Sequence, residues 1–450
     1  MQISGVTLAS AQAFPLRNPG AGAHQSTRPT PPGFATQQPR SATHQLRPAD
    51  QPFSRATHRG RLFFRLATSV LGLIAAGAPY LPSLSSTTSA ATPSASIEPI
   101  RIGFFAPLSG DNAEYGRHFL QAITLYTEKV NAAGGLHGHP LQIDAQDDRA
   151  NPREAANIAQ RFASDRSILA TIGSFSSTAS LAAAPILERA GVVQLSPSSS
   201  HPDFTRLGTY LFRNVNMQTI EGPLDARFAI DELKARRIAV LFRQDDWGLT
   251  ASDAFTKAVE AQGAKVVFSE AVVQGTRDFR PLLTKLRAQS PDLIYVALFY
   301  ADAAVFAQQL RQAGINLPVV TNSSLNNPQL IELAGAAVEG WYVPTNYFPG
   351  DPSPVVQNFL REYRQRWNEE PDQFAAIAYD SIGVIAHAID TILASGKPLT
   401  RQAIRDELYA LPPYRGVSGL IKFNAEGDVE KPMTWLVIRN GKFQLFGKAS

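Results

Sequence analysis

Cysteine is absent from the 450 residues. That excludes disulfides, thiolate nucleophiles, cysteine-ligated zinc and a lipid-modified cysteine, although it does not assign a compartment. The usual phosphate-binding and nucleophile motifs are also missing. No G-x-G-x-x-G follows an apolar run, and neither a P-loop nor a G-x-S-x-G elbow occurs. A basic excess is absent once the first 96 residues are set aside. The chain carries a formal +4, yet residues 1–96 hold eight Arg, no Lys and one Asp, a balance of +7. The remainder has 42 − 8 = 34 basic and 38 − 1 = 37 acidic residues, a balance of −3. The basic character belongs to the leader, so the folded part has no nucleic-acid footprint.

What is present is ordinary for a globular protein: 44% hydrophobic and 18% charged residues. The length exceeds one ordinary core, so two lobes are expected. Residues 1–54, rich in Pro, Gln, Ser, Thr, Ala and Arg without sustained period, read as a disordered or mis-annotated extension. Residues 55–96 read as a signal peptide and linker. Arg55, Arg59, Arg61 and Arg65 precede the uncharged run Leu66–Ala78, and small-residue sites at Thr88-Ser89-Ala90 and Pro93-Ser94-Ala95 follow. That run is too short for a standard membrane span, so export to the periplasm is expected, with a membrane tether if the leader stays uncleaved.

From Ile97 apolar runs alternate with helical periods. Strands are expected at Arg101–Phe105, Leu141–Ala145, Ile168–Ile172, Val192–Leu195 and Tyr210–Arg213, with helices between them. The pattern restarts with a helix from about Gly222 and strands at Ile238–Phe242, Lys265–Ser269, Leu293–Ala297 and Pro318–Thr321. Three helices follow near Pro354–Asn368, Gln373–Ser395 and Thr400–Ala410, then a hairpin turning at Asn440-Gly441. Strand–helix alternation of this kind predicts an α/β fold with parallel, doubly wound sheets.

The most informative stretch is Ser167–Pro202. An apolar strand opens into Ser176-Ser177-Thr178 ahead of an alanine-rich helix, and a second strand ends in Pro197-Ser198-Ser199-Ser200. If the strands are parallel, both loops lie at their carboxyl ends, the usual ligand edge of such sheets. The hydroxyls are either ordinary helix caps or a cradle for a carboxylate at a helix N-terminus. Asp147-Asp148 and Asp245-Asp246 have no convergent His partner in the sequence and read as loop and capping residues, not acid–base pairs. His137 and His139 around a glycine are weak evidence for metal. No cofactor, metal or catalytic activity is expected.

Several segments together resemble a known family. Arg101-Ile102-Gly103, Ala106-Pro107-Leu108-Ser109-Gly110, Tyr115-Gly116 and Asn131-Ala132-Ala133-Gly134-Gly135-Leu136-His137-Gly138 come first. Asp147-Asp148 with Pro152, Ser196-Pro197, Tyr210-Leu211-Phe212-Arg213, Trp247-Gly248, Gly340 and Ala378-Tyr379-Asp380 follow in order. Across roughly 97–447 the chain resembles the branched-chain amino acid-type periplasmic binding proteins, the solute-binding components of ABC transporters. The resemblance implies two Rossmann-like lobes with parallel sheets, joined by a three-crossover hinge and closing on ligand. It puts lobe 1 at 97–217 plus 345–415 and lobe 2 at 218–344 plus 416–447. The crossovers then fall near Asn216–Gln218, Val343–Tyr347 and Tyr414–Val417.

By the same resemblance, Ser176 binds the ligand carboxylate, and Ser198, Ser199 and Ser200 supply backbone groups and a hydroxyl. Tyr115 lies against the ligand side chain, while Trp247 and Phe299 line the second lobe. Counting without gaps from Leu317, Ser323 stands where the family's amino-acid binders carry a glutamate for the ligand ammonium. Serine supplies no charge, so either another acid such as Asp302 compensates or the ligand is not a plain α-amino acid. The implied function is capture of a small carboxylate-bearing ligand, an amino acid or related compound, for ABC permease subunits, by a monomer. The alternative is a sensor or regulator of the same fold answering to amides, urea or aromatic acids.

Overall fold

The structure, a computed structural model, describes residues 98–447. The expected extension and signal peptide lie outside the described residues. The chain starts as five strands with four helices between them: β1 (Ile100–Ala106), α1 (Ala113–Ala132), β2 (Leu141–Asp147), α2 (Pro152–Ser164), β3 (Ile168–Gly173), α3 (Ser177–Arg189), β4 (Val193–Ser196), α4 (Asp203–Arg206) and β5 (Leu211–Arg213). These strands form one wholly parallel sheet in the order β2-β1-β3-β4-β5. The inner strands are covered on both faces, so β4 is buried at every position, whereas the edge strand β2 is polar and partly exposed.

The same design repeats. After α5 (Gln218–Arg227) come β6 (Arg237–Arg243), α6 (Asp246–Ala261), β7 (Lys265–Val272), α7 (Arg280–Ala288), β8 (Leu293–Ala297), α8 (Tyr300–Gln312), β9 (Val319–Thr321), α9 (Pro328–Ala334) and β10 (Tyr342–Thr345). The parallel order β7-β6-β8-β9-β10 matches that of the first sheet. The chain then adds α10 (Pro354–Trp367), α11 (Gln373–Ala394) and α12 (Arg401–Ala410). Of these, α11 packs on α1, and α12 on α11 and β3. A short hairpin of β11 (Tyr414–Gly416) and β12 (Gly419–Ile421) follows. Finally β13 (Thr434–Arg439) and β14 (Lys442–Leu445) extend the second sheet in antiparallel fashion beyond β10. They turn at Asn440-Gly441, where both residues have the positive φ (52° and 67°) that a tight hairpin needs.

One helix starts elsewhere than expected, and another is unusual in composition. Helix α5 begins at Gln218 and not near Gly222, because Pro223 sits inside it instead of breaking it. Helix α11 is long and apolar enough to cross a membrane, yet 78% of its apolar window is buried within the protein. The helix is largely enclosed, with α1 and α12 packed against it, and exposes polar positions such as His387 and Asp390.

The paired Tyr-Gly and Trp-Gly motifs acquire a steric reason. Gly116 lies in the first turn of α1, and a Cβ there would stand 1.9 Å from the Pro107 carbonyl oxygen. Gly248 plays the same part in α6, with 2.0 Å to the Arg243 carbonyl oxygen. Each glycine lets its helix start directly against the end of the preceding strand, which carries the adjacent aromatic to the sheet edge. Gly248→Ala is therefore expected to lower stability by about 1–3 kcal/mol through overpacking. A urea midpoint unchanged from wild type would contradict this.

Candidate functional site

The carboxyl ends of the two parallel sheets face one small cavity of about 30 Å³, room for roughly one or two water molecules. Its first wall is the stretch singled out from sequence. Ser176 is the N-cap of α3, its Oγ accepting from Ala179 N at 3.2 Å. The amides of Ser177 and Thr178 in that first helical turn have no intrahelical acceptor, as at any helix start. Ser198 Oγ donates to the Phe175 carbonyl at 2.8 Å, and Ser200 Oγ accepts from Gln218 Nε2 at 2.8 Å. Ser176, Ser177, Ser198 and Ser200 all line the cavity. Positive helix-end potential, free amides and hydroxyls together suit an anionic group.

Ser199 is placed differently. It is fully buried, with its Oγ on Ser180 Oγ at 2.6 Å and its amide on Ser196 Oγ at 2.9 Å, and it does not line the cavity. Its carbonyl is held by Arg213, the last residue of β5 and of the Tyr-Leu-Phe-Arg motif. Arg213 Nη1 donates to Ser199 O at 2.9 Å and to His201 O at 2.8 Å, while Nε pairs with Asp428 at 2.5 Å. The guanidinium is wholly buried, so Asp428 supplies the charge that makes this tolerable. Arg213 thus sets the course of the 198–201 loop without touching the cavity.

The opposite wall is aromatic. Trp247 stacks on Phe299 with centroids 4.8 Å apart, Phe299 meets Phe175 at 5.0 Å, and the Arg243 guanidinium lies 4.6 Å above Phe299. Trp247 and Phe299 line the cavity together with Phe374 of α11. Tyr115 does not line it. Its ring stacks behind Phe175 at 4.0 Å, and its hydroxyl donates to Ser324 O at 3.0 Å while accepting from Tyr300 N at 3.1 Å. Burial pushes its phenol well above the ordinary value, so it stays a neutral bridge from α1 to the loops after β8 and β9. Gln373 Nε2 adds a second bridge to Ser323 O at 2.6 Å.

Ser323 lines the cavity and is not alone there. Its amide and its Oγ both donate to the carboxylate of Glu221, at 2.6 and 3.0 Å. Glu221 is 1% exposed, lines the same cavity, and comes from α5. Asp302, the acid suggested from sequence, is occupied elsewhere. It accepts from Gly275 N at 2.9 Å, stands 3.8 Å from Arg243 Nη1, and does not line the cavity. A helix start placed near Gly222 leaves Glu221 just outside the helix, whereas α5 begins at Gln218. The available signal was Gln218, Glu221 and Asp225, spaced three and four apart so that they share one helical face. The acidic pairs keep to structural roles: Asp245 caps α6 through Gly248 N, and Asp147 accepts from Leu108 N and Arg149 N.

Two outcomes are expected. Removing one partner of the Arg213–Asp428 pair, as in Asp428→Asn, should cost about 3–5 kcal/mol in a denaturant titration. Burial raises the Glu221 carboxyl to about 7, against the lowering effect of the Ser323 bonds. The folded state then holds a proton that the unfolded chain releases near 4.5, so this group's contribution is full below about 4.5 and lost as pH rises through about 7. Asp225, raised further by burial and by Glu221, acts in the same direction. Urea midpoints measured from pH 4 to 8 should therefore fall relative to Glu221→Gln across that window; parallel curves would contradict it.

Comparison with known proteins concerns the fold and the family. The periplasmic binding protein family model matches residues 99–442. An amino acid binding protein of Pseudomonas aeruginosa is 25% identical over 335 residues, covering 73% of this chain and 87% of that one. The leucine-, isoleucine-, valine-, threonine- and alanine-binding protein of the same organism is 26% identical over 334 residues, covering 74% and 87%. Among solved structures, the substrate binding protein LivJ of Streptococcus pneumoniae, in complex with isoleucine, superposes with a TM-score of 0.72 at 27% identity, covering 77% of this chain and 98% of that one. A candidate branched-chain amino acid ABC transporter protein from Rhodospirillum rubrum reaches 37% identity and a TM-score of 0.60, covering 77% and 100%. With its two lobes of matching strand order and a polar cleft between them, the chain belongs to the periplasmic binding protein family, in its type I form.

Proposed function

We propose that this protein is the exported solute-binding component of an ABC importer. It captures a small carboxylate-bearing ligand, an amino acid or a related compound such as a branched-chain amino acid, and presents it to permease subunits. The observation that carries the reading is the convergence of Ser176, Ser177, Ser198 and Ser200 on the start of α3, inside the cleft between the sheets. The names of the matched relatives, which are solute-binding proteins for amino acids, support a binder and not a catalyst. The basic, apolar and small-residue order of residues 55–96 supports delivery to the periplasm.

In this reading lobe 1, residues 97–217 with 345–415, holds the carboxylate through Ser176 and the 198–200 loop. Lobe 2, residues 218–344 with 416–447, adds Trp247, Phe299 and Ser323 on closing. Contacts made only in the closed form shift the equilibrium toward it. Tyr115 acts from behind Phe175 as a closure contact, and Ser199 as a brace for the loop. The protein works as a monomer.

A thermal-shift screen against amino acids, short amides, urea, aromatic acids and dicarboxylates checks the reading, since a ligand bound to the folded state raises Tm by mass action. An amino or related carboxylic acid is expected to raise it; no shift with any compound would overturn it. Ser176→Ala should weaken binding of the identified ligand about tenfold or more, through a lost hydrogen bond to a charged group. The same substitution should cost only about 1 kcal/mol of stability, through the lost cap. Calorimetry giving equal affinity for the two proteins would remove Ser176 from the site.

A further inference from the structure

We propose that Lys431 is the positioning residue of the connection between the two sheets. It ties the three passages of the chain from one sheet to the other together and anchors them on α11, so that the two sheet edges approach along one path. Lys431 does not line the cavity between the sheets and acts on it only through the backbone.

The chain passes between the sheets after β5, after β10 and before β13. All three passages meet at Lys431 and Pro432. Asn216, in the first, accepts from Lys431 N at 2.8 Å through Oδ1 and donates to Lys431 O at 2.8 Å through Nδ2. Asn346, in the second, donates from Nδ2 to Pro432 O at 2.9 Å. An asparagine amide suits this task, because one side chain offers both a donor and an acceptor. Domain motion is absorbed by a few such connecting residues. Three passages tied at one point leave fewer ways to bend than three independent ones.

The side chain adds a second, independent tie. Lys431 is 2% exposed, and its Nζ donates to Ser418 Oγ at 2.8 Å. Ser418 Oγ donates in turn to Asp380 Oδ2 at 2.5 Å, and the amides of Val417 and Ser418 each donate to that carboxylate at 2.7 Å. Gly416 allows this close approach, since a Cβ there would collide with the Asp380 carboxylate. Asp380 belongs to α11, which packs on α1 of the first sheet's side. Asn214 ties the first passage to the same helix, its Nδ2 donating to Ile377 O at 3.0 Å. Burial brings the Lys431 ammonium down to about 8, against the raising effect of Asp380, so it is charged at neutral pH. A buried ammonium that left its carboxylate would strand both charges, whereas an apolar side chain of similar length would tolerate several positions. The charge therefore fixes the third passage at one place on α11.

The test uses the purified full-length protein. The chain has no cysteine, so Leu207→Cys and Val273→Cys, at positions 45% and 61% exposed, place one spin label on each sheet's side. Pulsed dipolar spectroscopy without added ligand then gives the distribution of distances between them. Lys431→Met should broaden that distribution about twofold, as further arrangements become populated. Asn216→Ala, which unties the first passage from the third, should broaden it as well. Arg401→Met should not. Its guanidinium donates to Ile168 O at 2.9 Å and Asp165 O at 2.6 Å, far from the passages in sequence and fold, so it affects stability alone. A folded Lys431→Met of wild-type width would overturn the inference. Should that variant fail to fold, Asn216→Ala of wild-type width would overturn it instead. Equal broadening by Arg401→Met would also count against it decisively, because loss of stability would then account for the effect. None of these outcomes bears on ligand capture, which the thermal-shift screen tests separately.

Discussion

The buried guanidinium of Arg213 is the constraint on which the cleft depends. It sits at the end of β5, a few residues before α5 begins, and it is wholly buried. From there it reaches the carbonyls of Ser199 and His201, the hydroxyl of Thr205 and the carboxylate of Asp428. One side chain thereby joins the first lobe's last strand, the serine loop of the site and a segment more than two hundred residues later. A planar, permanently charged fork suits such a node, because its several fixed donors impose geometry as well as attraction.

Around that node the architecture is a duplication of one idea. A parallel sheet ordered 2-1-3-4-5 brings the loops after its strands to one edge, and two such sheets bring two edges together. The close start of α1 and α6, made possible by Gly116 and Gly248, sends Tyr115 and Trp247 to those edges. The aromatic rings then fill the interior of the interface, and the hydroxyls and carboxylate stand around a space of about 30 Å³. Apolar area makes closure favourable, while the polar groups decide what the closed form will hold.

Much of this was legible beforehand. The strand Leu293–Ala297, buried on both faces, carries the unbroken apolar run expected of a covered parallel strand. Asn440-Gly441 announced its hairpin, and the hydroxyl clusters announced the edge of the first sheet. Four serines of the site, with Trp247 and Phe299, come together in one place. Tyr115 and Ser199 were read one layer too close to the cavity. An aromatic in the first turn of a helix can face the cleft or back another ring, and spacing alone does not separate the two.

Local patterns by themselves determined the α/β class, the two successive runs of alternating strands and helices and the hydroxyl-lined helix start, because each rests on neighbours close in the chain. Where the negative charge of the cleft comes from was decided only by the tertiary structure. Glu221 and Ser323 are 102 positions apart and meet because α5 and the loop after β9 are packed at one sheet edge. A reading along the chain saw a serine without a charge. Three-dimensional packing placed a carboxylate on it, since pairing across such a separation depends on how whole elements stack and not on the residues beside either partner.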